Sequence, residues 1–364
     1  MNKQQTIQHY LQEQHLDAAY IHNPTDIAYL TSFHSEPHER IMALFLFPND
    51  DPFLFVPALE VEAAKAVVDF KVVGYLDNEN PWDVIVSELQ HHIPLHRIAI
   101  QKDVLPVERL EALQQRLPQT QFDANLSPLL AKMKLYKTKE EKQWMMETGA
   151  WADFAFEKGF EAIHEGVSEQ EIVAYLEYEL KKKGVTEMSF DTLVLAGAHA
   201  ANPHGEPSAN IHVHQHELIL FDLGCMWKGY ASDATRMASL LEPTDFQKKI
   251  FDIVREAQFR AQNAVKPGIT AGELDAIARD YITQQGYGDY FNHRLGHGIG
   301  QNAHEFPSIV EGNDLVIEEG MCFSLEPGIY IPNEIGVRIE DCVYVTQTGC
   351  EAFTKSSKDL HIIQ

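Results

Sequence analysis

Short apolar runs alternate with amphipathic segments along the first third of the chain. The apolar runs predict strands at residues 18–21, 41–47, 53–56 and 97–100. Apolar positions at helical spacing predict helices at residues 6–14, 61–66 and 81–89. This alternation is typical of an α/β domain.

A change in composition near residue 130 divides the chain. Turn residues at 126–128 give way to a basic stretch at 132–137. Thr138 and Glu141 then match the S/T-x-x-E capping box and predict the start of a long helix. Because 364 residues are too many for one ordinary core, we predict two domains, residues 1–130 and 131–364.

The second part contains an internal repeat, in which residues 163–185 align without gaps with residues 265–287. Both copies carry a capping box at the helix start and a glycine at the helix end. A chance match between two ordinary capped helices is the alternative. We favour a duplicated unit of helices and sheet, which predicts an α+β domain with pseudo-twofold symmetry and a cleft between its halves.

Two acidic residues interrupt apolar strands after the first copy. A strand apolar on both faces carries Asp222, and the return strand carries Asp233. A symmetric hairpin centred between Trp227 and Lys228 would place the two carboxylates opposite each other, with Cβ atoms ~4.5–5.5 Å apart. Such a buried pair must either share a proton or be neutralised by a cation.

The second copy is followed by the same arrangement. Glu326 and Glu340 lie on two strand-like runs and face each other across a turn centred on Asn333. Shared protons cannot neutralise four clustered carboxylates near neutral pH, whereas two divalent cations carry the matching charge. The cleft is therefore predicted to hold two metal ions.

His297 adds a neutral candidate ligand within the glycine-rich sequence His-Gly-Ile-Gly. Oxygen-rich coordination with one imidazole suits Mn²⁺, Co²⁺ or Fe²⁺ and tolerates Zn²⁺. Two such ions ~3.5–4 Å apart would activate a water and clamp a carbonyl oxygen.

These motifs resemble those of the metallopeptidase family with the pita-bread fold (M24), which includes methionine aminopeptidase, aminopeptidase P and prolidase. The matching motifs are Asp222-Leu-Gly, Asp233-Ala-Thr-Arg236, His293-Arg-Leu-Gly-His297-Gly, Glu326-Pro-Gly and Arg338-Ile-Glu340-Asp. The preceding domain resembles the creatinase-like domain of aminopeptidase P and prolidase. The resemblance therefore implies an α/β creatinase-like N-terminal domain followed by an α+β pita-bread catalytic domain.

The resemblance also implies the metal ligands. Asp222, Asp233, His297, Glu326 and Glu340 would bind two divalent ions, with Mn²⁺ as the first candidate. Asp233 and Glu340 would bridge the ions, and Glu326 would also act as the general base. Thr235 would support these ligands by hydrogen bonding.

Five further residues are implied to contact substrate. His204 and His304 match histidines that contact substrate or stabilise the oxyanion, and His293 matches one on the proline side. A cation suits the substrate carboxylate, for which Arg294 is the candidate and Arg338 the alternative.

A charged loop at residues 32–40 carries His38. By resemblance, His38 would reach the active site of the partner subunit in a homodimer, although a solvated loop is the alternative. The run His212, His214 and His216 predicts either a solvated strand edge or a peripheral metal site.

The implied activity is hydrolysis of Xaa-Pro dipeptides with release of proline. The alternatives are an Xaa-Pro aminopeptidase acting on longer peptides and a non-catalytic binding module of the same fold. A net charge of −25 argues against nucleic acid and anionic membranes as partners. Four cysteines without a C-x-x-C pair, and no long apolar segment, predict a soluble cytoplasmic protein with reduced thiols.

Overall fold

The computed structural model describes residues 2–92 and 94–364. The chain forms two compact units, Met1–Met133 and Lys134–Gln364. The turn predicted at residues 126–128 is wrong, because a helix covers Ser127–Leu135. Its Pro128 lies in the first turn, where the missing backbone N–H removes no helical hydrogen bond.

The first unit is built on a six-stranded sheet. Its strands are β1 (Ala18–Ile21), β2 (Ala43–Leu46), β3 (Phe53–Pro57), β4 (Lys71–Tyr75), β5 (Arg97–Ile100) and β6 (Gln121–Asn125). The sheet order is β4-β3-β2-β1-β5-β6. Strand β2 is antiparallel to both neighbours, and the other pairs are parallel.

Both faces of this sheet are covered by apolar side chains. Leu44 and Leu46 pack in one cluster, whereas Ala43 and Phe45 pack in another. This alternation follows from the period of two along a strand. The helices are α1 (Lys3–Glu13), α2 (Pro24–Thr31), α3 (Val61–Lys65), α4 (Pro81–Leu89), α5 (Val107–Arg116) and α6 (Ser127–Leu135).

Four long helices and a nine-stranded sheet form the second unit. The helices are α7 (Lys139–Glu161), α8 (Glu169–Lys182), α9 (Asp245–Ala264) and α10 (Ala271–Gln284). Each begins with a complete capping box, including the one predicted at Thr138 and Glu141. These boxes satisfy backbone N–H groups that the first helical turn leaves without partners.

Two two-stranded sheets accompany the nine-stranded sheet of the second unit. The strands of the three sheets are β7 (Leu193–Ala196), β8 (Leu218–Leu223), β9 (Met226–Trp227), β10 (Tyr230–Ala231), β11 (Ala234–Leu240), β12 (Gly296–Gly298), β13 (Glu305–Ile309), β14 (Cys322–Leu325), β15 (Gly328–Ile331), β16 (Ile335–Arg338), β17 (Glu340–Val345), β18 (Cys350–Ala352) and β19 (His361–Ile363). The main sheet runs β13-β12-β14-β17-β11-β8-β7, with β18 beside β17 and β19 beside β11.

The predicted pseudo-twofold repeat is confirmed. Strands β7-β8-β11 correspond to β12-β14-β17, and the two sets meet where β11 pairs with β17. Helices α8 and α10 are each 14 residues long. The matched glycines all have positive φ, with 80° at Gly166, 98° at Gly268, 93° at Gly184 and 89° at Gly286.

The predicted register of the first hairpin is wrong by two residues. Asp222 lies opposite Thr235 rather than Asp233. The turn is centred on Lys228 and Gly229, which have φ values of 52° and 78°. A two-residue hairpin turn favours two left-handed residues, and glycine adopts this conformation without steric cost.

The second hairpin has the predicted register. Gly328 lies opposite Arg338, and Leu325 lies opposite Asp341, so that both pairs are centred on Asn333. Asn333 itself has a φ of 59°. Glu326 and Glu340 therefore lie at matched positions on adjoining segments.

The positive φ at Gly286 predicts a local cost for any side chain there. A Cβ atom at Gly286 would meet no heavy atom within 4 Å, so only backbone strain opposes Gly286→Ala. We expect its free energy of unfolding to fall by about 1–2 kcal/mol. Gly349→Ala is the control, because Gly349 lies outside the left-handed region and has only one neighbour, at 3.9 Å. Equal thermal stability of the two variants would contradict this explanation.

Candidate metal centre

The five predicted ligands converge on one cavity of about 470 Å³ in the second unit. Asp222 lies in β8, His297 in β12 and Glu340 at the start of β17. Asp233 occupies the break between β10 and β11, and Glu326 follows β14. The two halves of the repeat thus contribute side chains to the same place.

Strand pairing explains why carboxylates so distant in sequence come together. Thr235 lies opposite Asp222 on one side and opposite Glu340 on the other. Its hydroxyl donates to the Glu340 carboxylate at 2.8 Å and accepts from Arg338 Nε at 3.2 Å. Thr235 therefore hydrogen-bonds to a candidate ligand, as predicted, and it pairs with a neighbouring strand on each side.

The candidate ligands fall into three overlapping sets, each with its ligand atoms within 4.8 Å of one another. The sets are Asp222–Asp233–Glu340, His297–Glu326–Glu340 and Asp233–His297–His304. Asp233, Glu340 and His297 each belong to two sets. The overlap at Asp233 and Glu340 fits two ions that would share these carboxylates.

The electrostatics of the cluster also fit divalent cations. Burial and the neighbouring Asp222 charge raise the pKa of Asp233 well above its usual value. Burial and Asp233 do the same to the pKa of Glu340. Burial likewise raises the pKa of Asp222, although Arg338 opposes this shift. Among the described residues, Asp222 Oδ1 and Glu340 Oε1 are buried with no hydrogen-bond donor, so each retains free lone pairs.

Glu326 behaves differently from the other carboxylates. Burial acts to raise its pKa, but the hydrogen bond and charge of His297 outweigh burial, and the pKa falls below its usual value. His297 Nε2 lies 3.1 Å from Glu326 Oε1. Ser324, which we did not predict, donates to the same oxygen at 2.9 Å and accepts from the His297 backbone N–H at 3.0 Å. The sequence signal that could have identified Ser324 is its position two residues before Glu326.

The predicted substrate residues divide between the two units. His204, His293, Arg294, His304 and Arg338 all line the same cavity. His38 instead lies in the first unit, where it is exposed. Its contact with a partner subunit stays a prediction.

Arg338 is fully engaged at the base of the cavity. Its guanidinium pairs with Asp222 and donates to the Tyr330 hydroxyl at 2.7 Å and to Thr235. His293 Nε2 lies 3.2 Å from the same Tyr330 hydroxyl. Burial raises the pKa of Tyr330 to about 12, so it stays protonated. Tyr330 was missed, although it follows Glu326 at an even spacing.

Two other cavity residues retain freedom to bind ligand. Arg294 is only partly buried and makes a long contact, 3.4 Å, with the Ser308 hydroxyl. Partial burial and the charge of His297 lower the pKa of His304 to about 4, so this imidazole is neutral at neutral pH. The rings of His304 and His297 are 3.9 Å apart between centroids. Phe190 and Leu193 add apolar surface that we did not predict.

The histidine run at residues 212–216 forms no comparable cluster. His212 contacts the Gly166 carbonyl, His214 the Glu165 carboxylate and His216 the Glu242 carbonyl. Within the described ranges, none of the three belongs to a set that could hold a metal. All three residues are exposed and lie outside the strands, so they are solvated, and the predicted strand edge is wrong.

Known proteins resemble this chain along its whole length. The profile of metallopeptidase family M24 matches residues 143–347, and that of the creatinase/prolidase N-terminal domain matches residues 3–136. The chain belongs to metallopeptidase family M24. Its catalytic unit is thus the family's domain, preceded by a creatinase-type domain as expected.

Individual relatives of this M24 metallopeptidase cover nearly the same length. It is 51% identical to an Xaa-Pro dipeptidase of Lactobacillus helveticus over 98% of both chains. The structure of an Xaa-Pro dipeptidase from Bacillus anthracis is similar with a TM-score of 0.90, at 34% identity over 99% of each chain. An X-Pro aminopeptidase from Thermotoga maritima also gives a TM-score of 0.90, at 29% identity and full coverage.

Two further findings concern the cysteines and membrane-spanning helices. Cys225, Cys322 and Cys342 are buried free thiols, and Cys350 is a partly buried one. Across the part of the chain that the structure describes, no helix is long and apolar enough to cross a membrane.

The raised carboxyl pKa values predict that metal binding depends on pH. In the metal-free fold, Asp233 and Glu340 retain protons at a pH where free carboxyls have lost them. Ligation requires the carboxylates, so binding should release about one or two protons, and affinity should rise with pH. Calorimetric titration with Mn²⁺ in buffers of different ionisation enthalpy measures both the number of protons released and the affinity. Binding without proton release would contradict the prediction.

Proposed function

We propose that this M24 metallopeptidase hydrolyses Xaa-Pro dipeptides and releases proline, using two divalent ions of which Mn²⁺ is the first candidate. The observation that carries the proposal is the convergence of all five ligands in one cavity of a chain that resembles an Xaa-Pro dipeptidase from end to end. A non-catalytic binding module would not need to retain this full set. The ions, when bound, supply Lewis acidity that polarises the scissile carbonyl and acidifies the attacking water.

Glu326 is the proposed general base. Ser324 donates to one of its carboxylate oxygens at 2.9 Å and holds that oxygen in place. In this role it accepts the proton of the attacking water and then delivers that proton to the proline nitrogen as the bond breaks. An imide nitrogen carries no N–H, so protonation is needed for proline to leave as a neutral amine.

His204 and His304 are proposed to face the developing oxyanion. Both line the cavity, and the neutral His304 imidazole can donate one N–H. A donor already placed at the oxyanion stabilises the transition state more than the ground state.

Arg294 is proposed to bind the proline carboxylate. Arg338, the alternative, already binds Asp222, Tyr330 and Thr235. Recruiting it would break contacts that support a ligand. Among the described residues, the long contact with Ser308 is the one hydrogen bond of the Arg294 side chain, which can therefore turn to a bound anion.

We also propose a cytoplasmic homodimer in which His38 touches the substrate bound by the partner subunit. The free thiols and the exposed position of His38 support these two suggestions.

Removing the carboxylate anchor should affect dipeptides selectively. Arg294→Met should raise KM for an Xaa-Pro dipeptide by about tenfold or more, because a charge-assisted contact is lost. KM for the same dipeptide with an amidated C-terminus should change little. An equal rise for both substrates would contradict the assignment.

Removing the base or a shared ligand should stop turnover. Glu326→Ala and Asp233→Ala should each lower kcat by about 10²-fold or more while the protein stays folded by circular dichroism. Retained activity in both variants would be incompatible with this mechanism.

The rival activity is an Xaa-Pro aminopeptidase, and the similar Thermotoga structure gives it support. Paired assays of an X-Pro dipeptide and the matching X-Pro-Y tripeptide distinguish the two. We expect a higher kcat/KM for the dipeptide, whereas faster tripeptide cleavage would favour the rival.

A further inference from the structure

The segment that carries His304 joins β12 to β13 and crosses the cavity wall. The β12–β13 register shifts after His297, so regular pairing does not continue through the segment. Its backbone is attached elsewhere by two contacts, from Ile299 N to the Cys322 carbonyl at 3.4 Å and from Ala231 N to the Gly300 carbonyl at 2.8 Å. Neither contact involves His304, so another interaction must fix the position of its side chain.

Glu305, the next residue, is anchored on the far side of the segment. One carboxylate oxygen accepts the backbone N–H of Asn302 at 3.1 Å. The other lies 3.5 Å from Lys137 Nζ, and the two side chains are only 5% and 3% exposed. A Cβ atom at Gly300 would lie 2.5 Å from this second oxygen, so the segment closes tightly around the carboxylate.

Lys137 is itself held in place by the backbone. It lies just before α7, and its N–H donates to the Gly320 carbonyl at 2.8 Å. The preceding Tyr136 forms a β-bridge with Met321. The ammonium group is thus presented from a fixed point of the second unit.

A buried ion pair of this kind is weak evidence for stability, because desolvation offsets the attraction between the charges. Within the described residues, neither Lys137 Nζ nor Glu305 Oε2 has a hydrogen-bond partner that would offset it. A contribution to stability therefore does not explain why this buried ion pair is present.

We propose that the Lys137–Glu305 ion pair positions His304 for catalysis. His304 is the bend residue directly before β13, and Glu305 is the first residue of that strand. Glu305 points to Lys137 while His304 faces the cavity beside His297. Holding the Glu305 side chain in place therefore also fixes the position of the His304 side chain. Lys137 and Glu305 are positioning residues, since neither lines the cavity.

The inference rests on the proposed function and is tested by a double-mutant cycle in the intact protein. Lys137→Met should lower kcat for an Xaa-Pro dipeptide by about 10- to 100-fold, because small misplacements of a catalytic group are costly. In a His304→Ala background the same change should alter kcat by less than about twofold, since the group being positioned is absent. Glu305→Gln, which preserves shape, should behave in the same way.

Lys142→Met is the matched control. Lys142 lies in the first turn of α7 and pairs with Glu351 at 2.9 Å, away from the cavity. The kcat of the Lys142→Met variant should equal that of the wild-type protein. Lys137→Arg should recover part of the activity lost in Lys137→Met.

The outcomes separate the two proposals. A wild-type protein without activity on Xaa-Pro dipeptides refutes the proposed function. An active wild type in which Lys137→Met and His304→Ala act additively refutes the positioning role. If Lys137→Met fails to fold, the Glu305→Gln cycle decides by the same criterion, with metal content and circular dichroism checked for every variant.

Discussion

Mutual repulsion among buried carboxylates is the constraint that governs the catalytic unit. Asp222, Asp233, Glu326 and Glu340 line one cavity, and burial raises the pKa of three of them. Without cations, burial shifts each of these three groups toward its protonated form. Metal binding and the charge state of the fold are therefore coupled.

The sheet provides the rigidity that such a cluster requires. Each half of the repeat contributes two carboxylates, and the halves join at the β11–β17 pair. On that pair, Arg236 donates to the Glu340 carbonyl at 2.6 Å and to the Asp341 carboxylate at 2.7 Å. Ligands supported by this bonding are held in place before any ion arrives, which reduces the reorganisation needed on binding.

The sequence was sufficient for the repeat, the second hairpin and the convergence of five acidic and histidine side chains on one cavity, because capping boxes and interrupted apolar strands are local signals. It failed on the first hairpin, where the left-handed pair Lys228 and Gly229 shifts the turn by one residue. It also missed β4 and β6, which lie at the two edges of the sheet and have mostly exposed or half-buried residues. The choice between Arg294 and Arg338 depends on contacts with residues remote in sequence, which no local pattern contains.

Anomalous diffraction from crystals of the Mn²⁺-loaded protein would show whether the buried carboxylates hold two ions. We expect two peaks ~3.5–4 Å apart, as in other two-metal sites, enclosed by the five ligand side chains. Full activity on an Xaa-Pro dipeptide in crystals with no peak in that cavity would contradict it.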